Sequence, residues 1–483
     1  MKTVTFPANA SQNVALQLAL QVIHTLRGAG HTALFAGGCV RDTLLGRSPK
    51  DFDVATSARP DQVEALFPKT LAVGKSFGVI VVVGDGCDVE VATFRSDGGY
   101  VDGRHPESIR FSTPEEDASR RDFTINGLFA EPNDAGEARV LDFVGGLDDL
   151  SARRIRAIGN PSERFQEDAL RMLRAIRFAG ALDFDLDSAT LAAIRQESER
   201  IRQVSAERIG VEIVRMFAES VRAGRTLDLL RDSGLLALVL PEIEAMVGVK
   251  QPPQFHPEGD VYTHTRLMLD DLPPPAERDP RLAMAVLLHD VGKPPTAALR
   301  RMPDGENRIT FQCHASVGAE MAKAILQRLR RPNDFIDNVA GMVERHMSLV
   351  SAREMRPAKL RRFLASPTMA LELELVRLDT FHSCGDFAAL DFAREAYDRI
   401  RSEPQLPPRW VKGADLIALG MKPGEAMGAF LDRLFDRQLE GREPNREALL
   451  IWAKAELASC VSAPEAVQSP NSRESPPVAG PNP

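Results

Sequence analysis

Residues 37–56, with the sequence GGCVRDTLLGRSPKDFDVAT, constrain the fold more than any other stretch of this chain. The apolar run 33–36 enters a glycine pair, and the sequence DFD begins at Asp51. Successive side chains of a strand point to opposite faces, so we expect Asp51 and Asp53 to share one face. Two carboxylates so close repel each other, and a divalent cation removes that repulsion. Because hard oxygen ligands suit Mg²⁺, the pattern predicts a magnesium site.

The glycine pair adds a second element to this pattern. Gly37 and Gly38 allow the backbone to approach a phosphate closely. Each feature has a simpler reading alone, since DxD sequences are common and a glycine pair is often only a turn. Together, with Arg41-Asp42 between them, they indicate phosphoryl transfer on a nucleoside triphosphate.

Composition sets the class of protein. A chain of 483 residues is too long for one core, and two to four domains are expected. The net charge of −8 argues against a non-specific nucleic-acid coat protein, so any nucleic-acid contact must come from local basic patches. Five cysteines without pairing or CxxC spacing indicate a reducing, cytoplasmic compartment. No run of 18 apolar residues exists, and no membrane segment is expected.

Local patterns divide the chain into a strand-rich first part and a helical remainder. Short strands are predicted at 33–36, 51–55, 78–84, 87–94, 124–130 and 139–143, and helices at 11–29 and 60–67. Beyond Gly159 the periodicity is helical, with segments at 161–180, 188–201, 205–222 and 224–238. The predicted domains are 1–150, 151–250, 251–400 and 401–460, followed by a disordered tail at 461–483.

The segment RRDFTIN is the second motif of the strand-rich part. Arg120 and Arg121 precede a predicted strand, and guanidinium groups suit the oxygens of a triphosphate. A surface cluster of ion pairs is the simpler alternative. Glu90 lies on a predicted strand, where it could lean toward the metal site or pair with Arg95. Both readings stay open.

The segment EDALRMLRAIRF at 167–178 is the most specific helical motif. Asp168, Arg171, Arg174 and Arg177 recur every third residue, so neighbouring members lie close on one predicted helix. An aspartate one turn from an arginine offers an acceptor beside a fork of donors. Cytosine and adenine each present an exocyclic amine beside an acceptor nitrogen, whereas uracil and guanine place a carbonyl oxygen there. Such a pair could select C and A, although an exposed helix with salt bridges gives the same pattern.

The order GGCVRD, DFD, RRDFTIN, EDALRMLRAIRF resembles the class II tRNA nucleotidyltransferases, or CCA-adding enzymes, and the related bacterial poly(A) polymerases. The resemblance covers roughly residues 30–245. It implies an α+β fold, with a polymerase-β-like nucleotidyltransferase head followed by an all-α neck and body. It also implies that C, C and A from CTP and ATP are added to the 3′ end of tRNA.

The resemblance also assigns roles to single residues. Asp51 and Asp53 would bind the catalytic Mg²⁺, while Gly38, Arg41 and Arg121 would contact the nucleotide. Asp168 and Arg171 would read the base edge, and Arg174 and Arg177 would complete the pocket. Residues 97–104 look like the family's flexible loop, and residues 205–208 look like the motif that steadies the base-reading helix.

A third region gathers histidines in the second helical part. His289-Asp290 ends an apolar helix, in a pattern that looks like an HD domain and implies a divalent metal of unknown identity. Imidazole and carboxylate ligands around a metal suit the hydrolysis of a phosphate ester. His256 could be a loop residue or a substrate contact. The implied metal ligands are His264, His289, Asp290 and Asp379, with His314 and His346 available for a second metal.

Related functions remain as alternatives. A poly(A) polymerase would use nearly the same pocket with ATP alone, although those enzymes usually carry a strongly basic C-terminal region and this tail is polar. Enzymes that add only CC or only A fit the same motifs. Basic patches at 153–156, 328–331 and 356–362 could hold tRNA phosphates or be ordinary solvated faces.

Overall fold

The chain folds into an α+β head followed by helical domains, as predicted. The computed structural model describes residues 2–5, 13–98, 109–133, 137–383, 385–402 and 407–461. The Cα packing separates two compact units. The first comprises residues up to 349 together with 370–390, and the second comprises 350–369 with the rest of the chain from 391. The division into domains at 150, 250 and 400 stays a prediction.

The head is built on one eight-stranded sheet. Its spatial order is Thr3–Thr5, Glu137–Asp142, Leu128–Pro132, Ala33–Ala36, Val54–Thr56, Asp88–Thr93, Val79–Val83 and Thr70–Gly74. Neighbouring strands are antiparallel except for Val54–Thr56 and Asp88–Thr93, which run parallel. This mostly antiparallel sheet agrees with the predicted α+β class of the head.

Helix Val14–Gly28 packs against this sheet and explains which sheet face is buried. Its apolar side chains recur at helical spacing, and Leu16, Val22 and Leu26 are buried in the same core as Val54 and Val91. The other short helices of the head are Gly38–Leu44, Pro60–Leu66, Pro114–Ser119 and Gly146–Ser151, with a 3₁₀ turn at Lys75–Phe77.

Two strand predictions in the head are wrong in their bounds. The strand predicted at 51–55 begins only at Val54, so DFD forms the extended approach to the strand. Phe52 is nevertheless buried, with its ring centroid 6.1 Å from that of Phe35, so the two aspartates do point away from the core. The strand predicted at 124–130 begins with a 3₁₀ turn, Thr124–Asn126, because the buried Thr124 hydroxyl donates a 2.6 Å hydrogen bond to Asp149.

Beyond the head the first unit is mainly helical. The next elements are Pro161–Glu167, Leu170–Leu182, Ser188–Glu197, Ala206–Glu219, Ala223–Asp232, Leu236–Val239 and Pro241–Glu244, with a 3₁₀ turn at Ser198–Gln203. A short parallel pair of strands, Arg154–Ile155 and Asp185–Leu186, accompanies them. We refer to Leu170–Leu182 as the cleft helix and to Ala206–Glu219 as the neck helix.

The single helix predicted over 161–180 is wrong, because it is broken at Asp168. Asp168 adopts an extended conformation with φ −148° and ψ 103°, and its Oδ1 accepts a 3.0 Å hydrogen bond from the Leu170 amide. An aspartate that caps the following turn in this way stabilises the start of a new helix.

The histidine-rich region is also helical, with one strand pair. Its helices are Val261–Asp270, Pro280–Leu288, Lys293–Thr296, His314–Arg328, Asn333–Arg345 and Met369–Phe381. Its strand pair is an antiparallel hairpin, Ala297–Arg301 with Asn307–Phe311. Gly305 has φ +88°, which the turn sequence PDG accommodates.

The second unit has its own small core. Its helices are Pro357–Leu364, Ala388–Ser402, Gly413–Ala418, Glu425–Leu439 and Arg446–Val461, and 3₁₀ residues His346–Glu354 lead into it. Leu416, Phe430, Leu434 and Leu449 are buried together there.

Three further predictions concern a loop, the C-terminal tail and membrane-spanning segments. The flexible loop predicted at 97–104 lies, beyond residue 98, outside the described residues, and so does the tail predicted to be disordered, beyond residue 461. Within the described ranges, every helix is too short or too polar to cross a membrane.

The cleft helix and the turn after the neck helix meet at a glycine. A Cβ built on Gly180 would lie 2.2 Å from the Ser220 hydroxyl oxygen and 2.4 Å from that of Thr226. Both hydroxyl groups are fully buried, so neither can move away without opening the packing.

We expect Gly180→Ala to lower the free energy of unfolding by about 1–3 kcal/mol, since overpacking outweighs the better helix propensity of alanine. Gly428→Ala is the control, because a Cβ there meets nothing within 4 Å. That change should be neutral or stabilising by up to about 1 kcal/mol. Urea titrations measure both, and equal effects of the two changes would contradict the packing argument.

Candidate active site and metal centre

Main-chain pairing brings the glycine turn to the aspartates. The Ala36 amide donates to the Asp53 carbonyl at 3.0 Å, and the Gly37 amide donates to the Leu128 carbonyl at 2.9 Å. Gly37 has φ +68°, and a Cβ there would lie 2.9 Å from a guanidinium nitrogen of Arg121. The turn therefore requires glycine both for its conformation and for the close approach of the arginine.

The carboxylates form a centre of unbalanced negative charge. Burial, the charge of Glu90 and the charge of Asp51 raise the pKa of Asp53 to about 6, against the opposing charge of Arg121. Glu90 precedes Val91, which pairs with Val54 in the parallel register, so it lies beside Asp53. Of its two open readings, the structure favours the one near the metal site. Oxygen ligands that repel one another fit Mg²⁺, which would relieve this repulsion.

Two arginines are held rigidly beside the carboxylates. Arg41 donates to the Asn126 side chain at 2.7 Å and lies 2.8 Å from Asp42. Arg121 lies 3.1 Å from Asp117 and donates to the Asn126 carbonyl at 3.3 Å. The alternative of an ion-pair cluster is thus partly correct, because Asp117 holds both Arg120 and Arg121. These contacts orient the guanidinium groups.

Sequence reasoning missed two residues of this motif. Asp122 lies 2.6 Å from Arg174 and accepts a hydrogen bond from the side-chain Nδ2 of Asn126 at 3.0 Å. Although burial opposes ionisation, Arg174 and these hydrogen bonds lower the pKa of Asp122 to about 2. Asp122 thus links the head to the cleft helix. Its place between Arg121 and Asn126 in RRDFTIN was a usable signal, since a buried aspartate needs such partners.

Asp168 and Arg171 do not pair as the single-helix prediction required. Arg171 lies 2.7 Å from Glu167 and donates to the Arg120 carbonyl at 3.2 Å. Asp168 instead lies 2.7 Å from Arg208 at the start of the neck helix. The Asp168 carboxylate and the Arg171 guanidinium are both present as expected, but Arg208 orients the first and Glu167 orients the second.

The neck helix also holds the two remaining arginines. Arg177 is 3% exposed and lies 2.6 Å from Glu212 and 3.3 Å from Glu219. Arg174 approaches the same Glu212 at 3.8 Å. Burial lowers the pKa of Arg177, and the Glu212 charge opposes that effect. Glu212 was also missed, because its position in the sequence gives no sign of its buried partners.

One cleft contains every predicted head and neck site residue. It measures about 950 Å³ and extends to Arg215, Pro274 and Pro275. The predicted residues that line it are Gly38, Arg41, Asp51, Asp53, Arg121, Asp168, Arg171, Arg174 and Arg177. A cleft of this size can hold a nucleotide.

All three predicted basic patches are at least partly occupied by intramolecular bonds, since Arg362 of the third patch lies 2.8 Å from Asp436. Arg154 and Arg156 both bind the buried Asp149, at 2.9 and 2.7 Å. Arg328 lies 2.8 Å from Glu242, and Arg331 donates to the Glu207 carbonyl at 3.2 Å. These contacts favour a structural role for those arginines over the binding of tRNA phosphates.

The histidine-rich region forms a second polar centre, here called the HD centre. Two groups of possible metal ligands contain the predicted residues, and a third consists of His256, Glu258 and His264; within each group, one ligand atom per residue lies within 4.8 Å of the others. The first group is His264, His289 and Asp379, and the second is Asp290, His314 and His346. All six predicted ligands are therefore together, whereas His382 pairs with Asp271 at 2.8 Å outside these groups.

Three of the imidazoles are fixed in the same way. His289, His314 and His346 each place Nδ1 2.6–2.9 Å from the carbonyl of the residue three positions earlier. Each Nδ1 therefore carries the proton, and each Nε2 presents a lone pair. His314 Nε2 and His346 Nε2 lie 3.3 Å apart. Two lone pairs that face each other repel, and a cation between them removes the repulsion, so the donor set fits a divalent metal.

Three residues around the HD centre were missed or left undecided. Glu258 Oε1 lies 2.6 Å from His264 Nδ1 and 2.8 Å from His256 Nδ1. Glu258 orients His264, one of the predicted ligands, as carboxylates behind metal-bound histidines do. Burial opposes protonation of His264, but Asp379 and Glu258 raise its pKa to about 9. Lys293 lies 2.6 Å from Asp290 Oδ2, which leaves Oδ1 facing His314.

Comparison with known protein families agrees with this geometry. The poly(A) polymerase head domain matches residues 33–156. A probable RNA- and SrmB-binding site of polymerase A matches residues 183–247, and an HD domain matches residues 260–378.

Proteins similar in sequence to this chain include CCA-adding enzymes. The enzyme of Bacillus pumilus is 45% identical over 200 residues, which are 41% of this chain and 49% of that protein. The enzyme of Geobacillus kaustophilus is 44% identical over 230 residues, 47% of this chain and 55% of that protein. The chain therefore spans about half the length of the curated relatives it matches.

A solved structure extends the likeness over nearly the whole chain. The CCA-adding enzyme of Bacillus stearothermophilus in complex with CTP has a TM-score of 0.66 at 27% identity, covering 93% of this chain and 99% of that one. The enzyme of Thermotoga maritima complexed with tRNA, at 18% identity and a TM-score of 0.51, shares the fold alone; 95% of this chain and all of that one are covered. The chain therefore contains a poly(A) polymerase head domain at residues 33–156, an RNA-binding region of polymerase A at residues 183–247 and an HD domain at residues 260–378.

Proposed function

We propose that this chain is a cytoplasmic, template-independent nucleotidyltransferase that adds C, C and A to the 3′ end of tRNA from CTP and ATP. The observation that carries the proposal is the single cleft in which Asp51 and Asp53 face the arginines of the cleft helix. The carboxylates would hold metal ions at the reacting phosphate, and side chains of the cleft helix would contact the base. The relatives named above are CCA-adding enzymes, which supports the same reaction.

The chemistry assigned to the head is phosphoryl transfer. Asp51 and Asp53 would hold two Mg²⁺ ions, which when bound activate the RNA 3′-hydroxyl and neutralise the triphosphate. Arg41 and Arg121 contribute fixed donors for phosphate oxygens, since Asn126 and Asp117 already orient them. Catalysis by this site is mainly positioning and charge stabilisation.

The choice of nucleotide is assigned to Asp168 and Arg171. The Asp168 carboxylate accepts from the amine of cytosine or adenine, whereas a carbonyl oxygen of uracil or guanine would repel it. Arg208 holds this carboxylate at 2.7 Å, so its position does not depend on a template strand. Arg174 and Arg177 complete the pocket.

Addition to a tRNA transcript that lacks its last three nucleotides tests the proposal. CTP and ATP are supplied separately and together, with Mg²⁺. Addition of three nucleotides with both supports CCA addition. Two with CTP alone and no further growth would indicate a CC-adding enzyme, addition of a single A only to a transcript ending in CC would indicate an A-adding enzyme, and an unbounded ladder with ATP would indicate a poly(A) polymerase.

We expect Asp53→Asn to lower the rate of addition about 10³-fold or more, because it removes a ligand of ions that stabilise the transition state by several kcal/mol. Affinity for tRNA should stay within about threefold in a filter-binding assay. Asp85→Asn, in the exposed turn of the same sheet, is the matched control and should add nucleotides normally. Unchanged addition by Asp53→Asn would disprove the metal assignment.

We expect Asp168→Asn to lower discrimination against UTP and GTP by at least about tenfold, because the amide no longer presents two acceptors to the base. The asparagine keeps an oxygen for the Leu170 amide, so the helix start survives. Asp187→Asn is a matched control, since Asp187 caps another helix outside the cleft. Discrimination at the wild-type level would refute the base-reading role of Asp168.

For the HD centre we propose a second activity, the metal-dependent hydrolysis of a phosphate ester. Three fixed imidazole lone pairs support it, together with Asp379 in one ligand group and Asp290 in the other. A divalent metal bound there would activate water. The residues of this chain bind that metal, and Glu258 holds His264 in the binding orientation.

We expect Glu258→Gln to weaken divalent-metal binding at the HD centre by about 10–100-fold, because His264 loses a charged hydrogen-bond acceptor. Calorimetric titration with Mn²⁺ measures this, and exposed Glu277→Gln is the control. His289→Ala should remove the metal and any phosphatase activity while CCA addition continues. Metal binding unaffected in both variants would contradict the centre.

A further inference from the structure

Arg278 is a buried cation without an acidic partner among the described residues that contact it. It is 6% exposed, and burial lowers the pKa of its guanidinium to about 10. Its donors go to main-chain carbonyls: Nε to Pro273 at 2.8 Å, and Nη1 to Phe217 at 2.8 Å and Ser220 at 2.7 Å. Burying a charge is costly, so the three hydrogen bonds to these carbonyls indicate a specific structural role for Arg278.

The accepting carbonyls belong to the end of the neck helix. Ala206–Glu219 ends at Ser220, so Phe217 and Ser220 contribute carbonyls that the helix itself leaves unsatisfied. The negative end of the helix dipole also favours a cation there. Lysine, as a flexible point charge, would satisfy the same carbonyls with less fixed geometry than the planar arginine fork.

The neck helix orients the side chains assigned to base reading. Arg208 in its first turn holds Asp168 at 2.7 Å, and Glu212 in its middle holds Arg177 at 2.6 Å. The turn that follows it docks on the cleft helix, where the Val221 amide donates to the Gly180 carbonyl at 3.0 Å. A shift of the helix end would therefore move both the partners and the backbone of the cleft helix.

We propose that Arg278 is a positioning residue for nucleotide choice, which fixes the end of the neck helix and through it the base-reading side chains. This inference rests on the proposed CCA addition. Arg278 lies two residues before helix Pro280–Leu288, which leads to His289. The HD domain thus supplies the residue that holds the neck helix in place.

Discrimination between nucleotides tests the role. With the truncated tRNA transcript and Mg²⁺, kcat/KM is measured for each of the four triphosphates. Arg278→Met should lower the ratio of CTP to UTP by about tenfold or more, since the loss of charged hydrogen bonds loosens the helix. Arg281→Met is the matched control, because Arg281 is in the same segment and, among the described residues, its guanidinium pairs with Asp279, at 2.6 Å. It should keep the wild-type ratio.

The outcomes separate positioning from general stability. If Arg278→Met does not fold, Arg278→Lys decides, and its CTP to UTP ratio should fall by about threefold because a single ammonium replaces the fork. A wild-type ratio in the folded deciding variant overturns the role of Arg278, even if its melting temperature falls. Failure of the wild-type chain to extend the transcript would instead disprove the proposed function.

Discussion

The active-site geometry depends on two main-chain hydrogen bonds around one glycine. The Ala36 amide reaches the Asp53 carbonyl, and the Gly37 amide reaches the Leu128 carbonyl. These bonds place strand Ala33–Ala36 between Val54–Thr56, the strand that follows DFD, and Leu128–Pro132, the strand that follows RRDFTIN. Motifs about 70 residues apart in sequence thereby meet at one end of these central strands. The left-handed conformation of Gly37 then turns the chain away and leaves room for Arg121.

Around this turn, ion pairs fix most cationic groups before any substrate arrives. Asp117 holds Arg121, Asp122 holds Arg174, and Glu212 holds Arg177. Buried pairs of this kind add little net stability, because desolvation offsets the attraction. Their contribution is orientation, since a guanidinium that is already held loses less entropy when it binds a phosphate or a base. Burial of these ion pairs therefore preorganises the cleft more than it stabilises the fold.

The sequence was sufficient for the architecture and for the membership of the cleft, but not for its internal partners. Alternation around Phe52 correctly placed both aspartates on one face. The helix break at Asp168 was missed because residues 161–180 contain no internal glycine or proline, although an aspartate can cap a new helix. The content of β-branched residues is a weaker guide still. Thr124 and Ile125 favour a strand, but the buried hydrogen bond from the Thr124 hydroxyl to Asp149 imposes a turn. Contacts of that kind join residues distant in sequence, and no local pattern encodes them.

The charge distribution is compatible with the proposed action of this acidic chain on polyanions. The net charge is −8, yet basic side chains that line the cleft outnumber acidic ones by nine to six. Asp51 and Asp53 are among those six, and bound Mg²⁺ would cancel them. The loaded cleft would then be strongly positive within a negative surface. Fields focused in a cleft raise the local concentration of an oppositely charged ligand. The negative exterior at the same time disfavours non-specific binding of RNA elsewhere, so attraction would be confined to the cleft to which the proposed reaction is assigned.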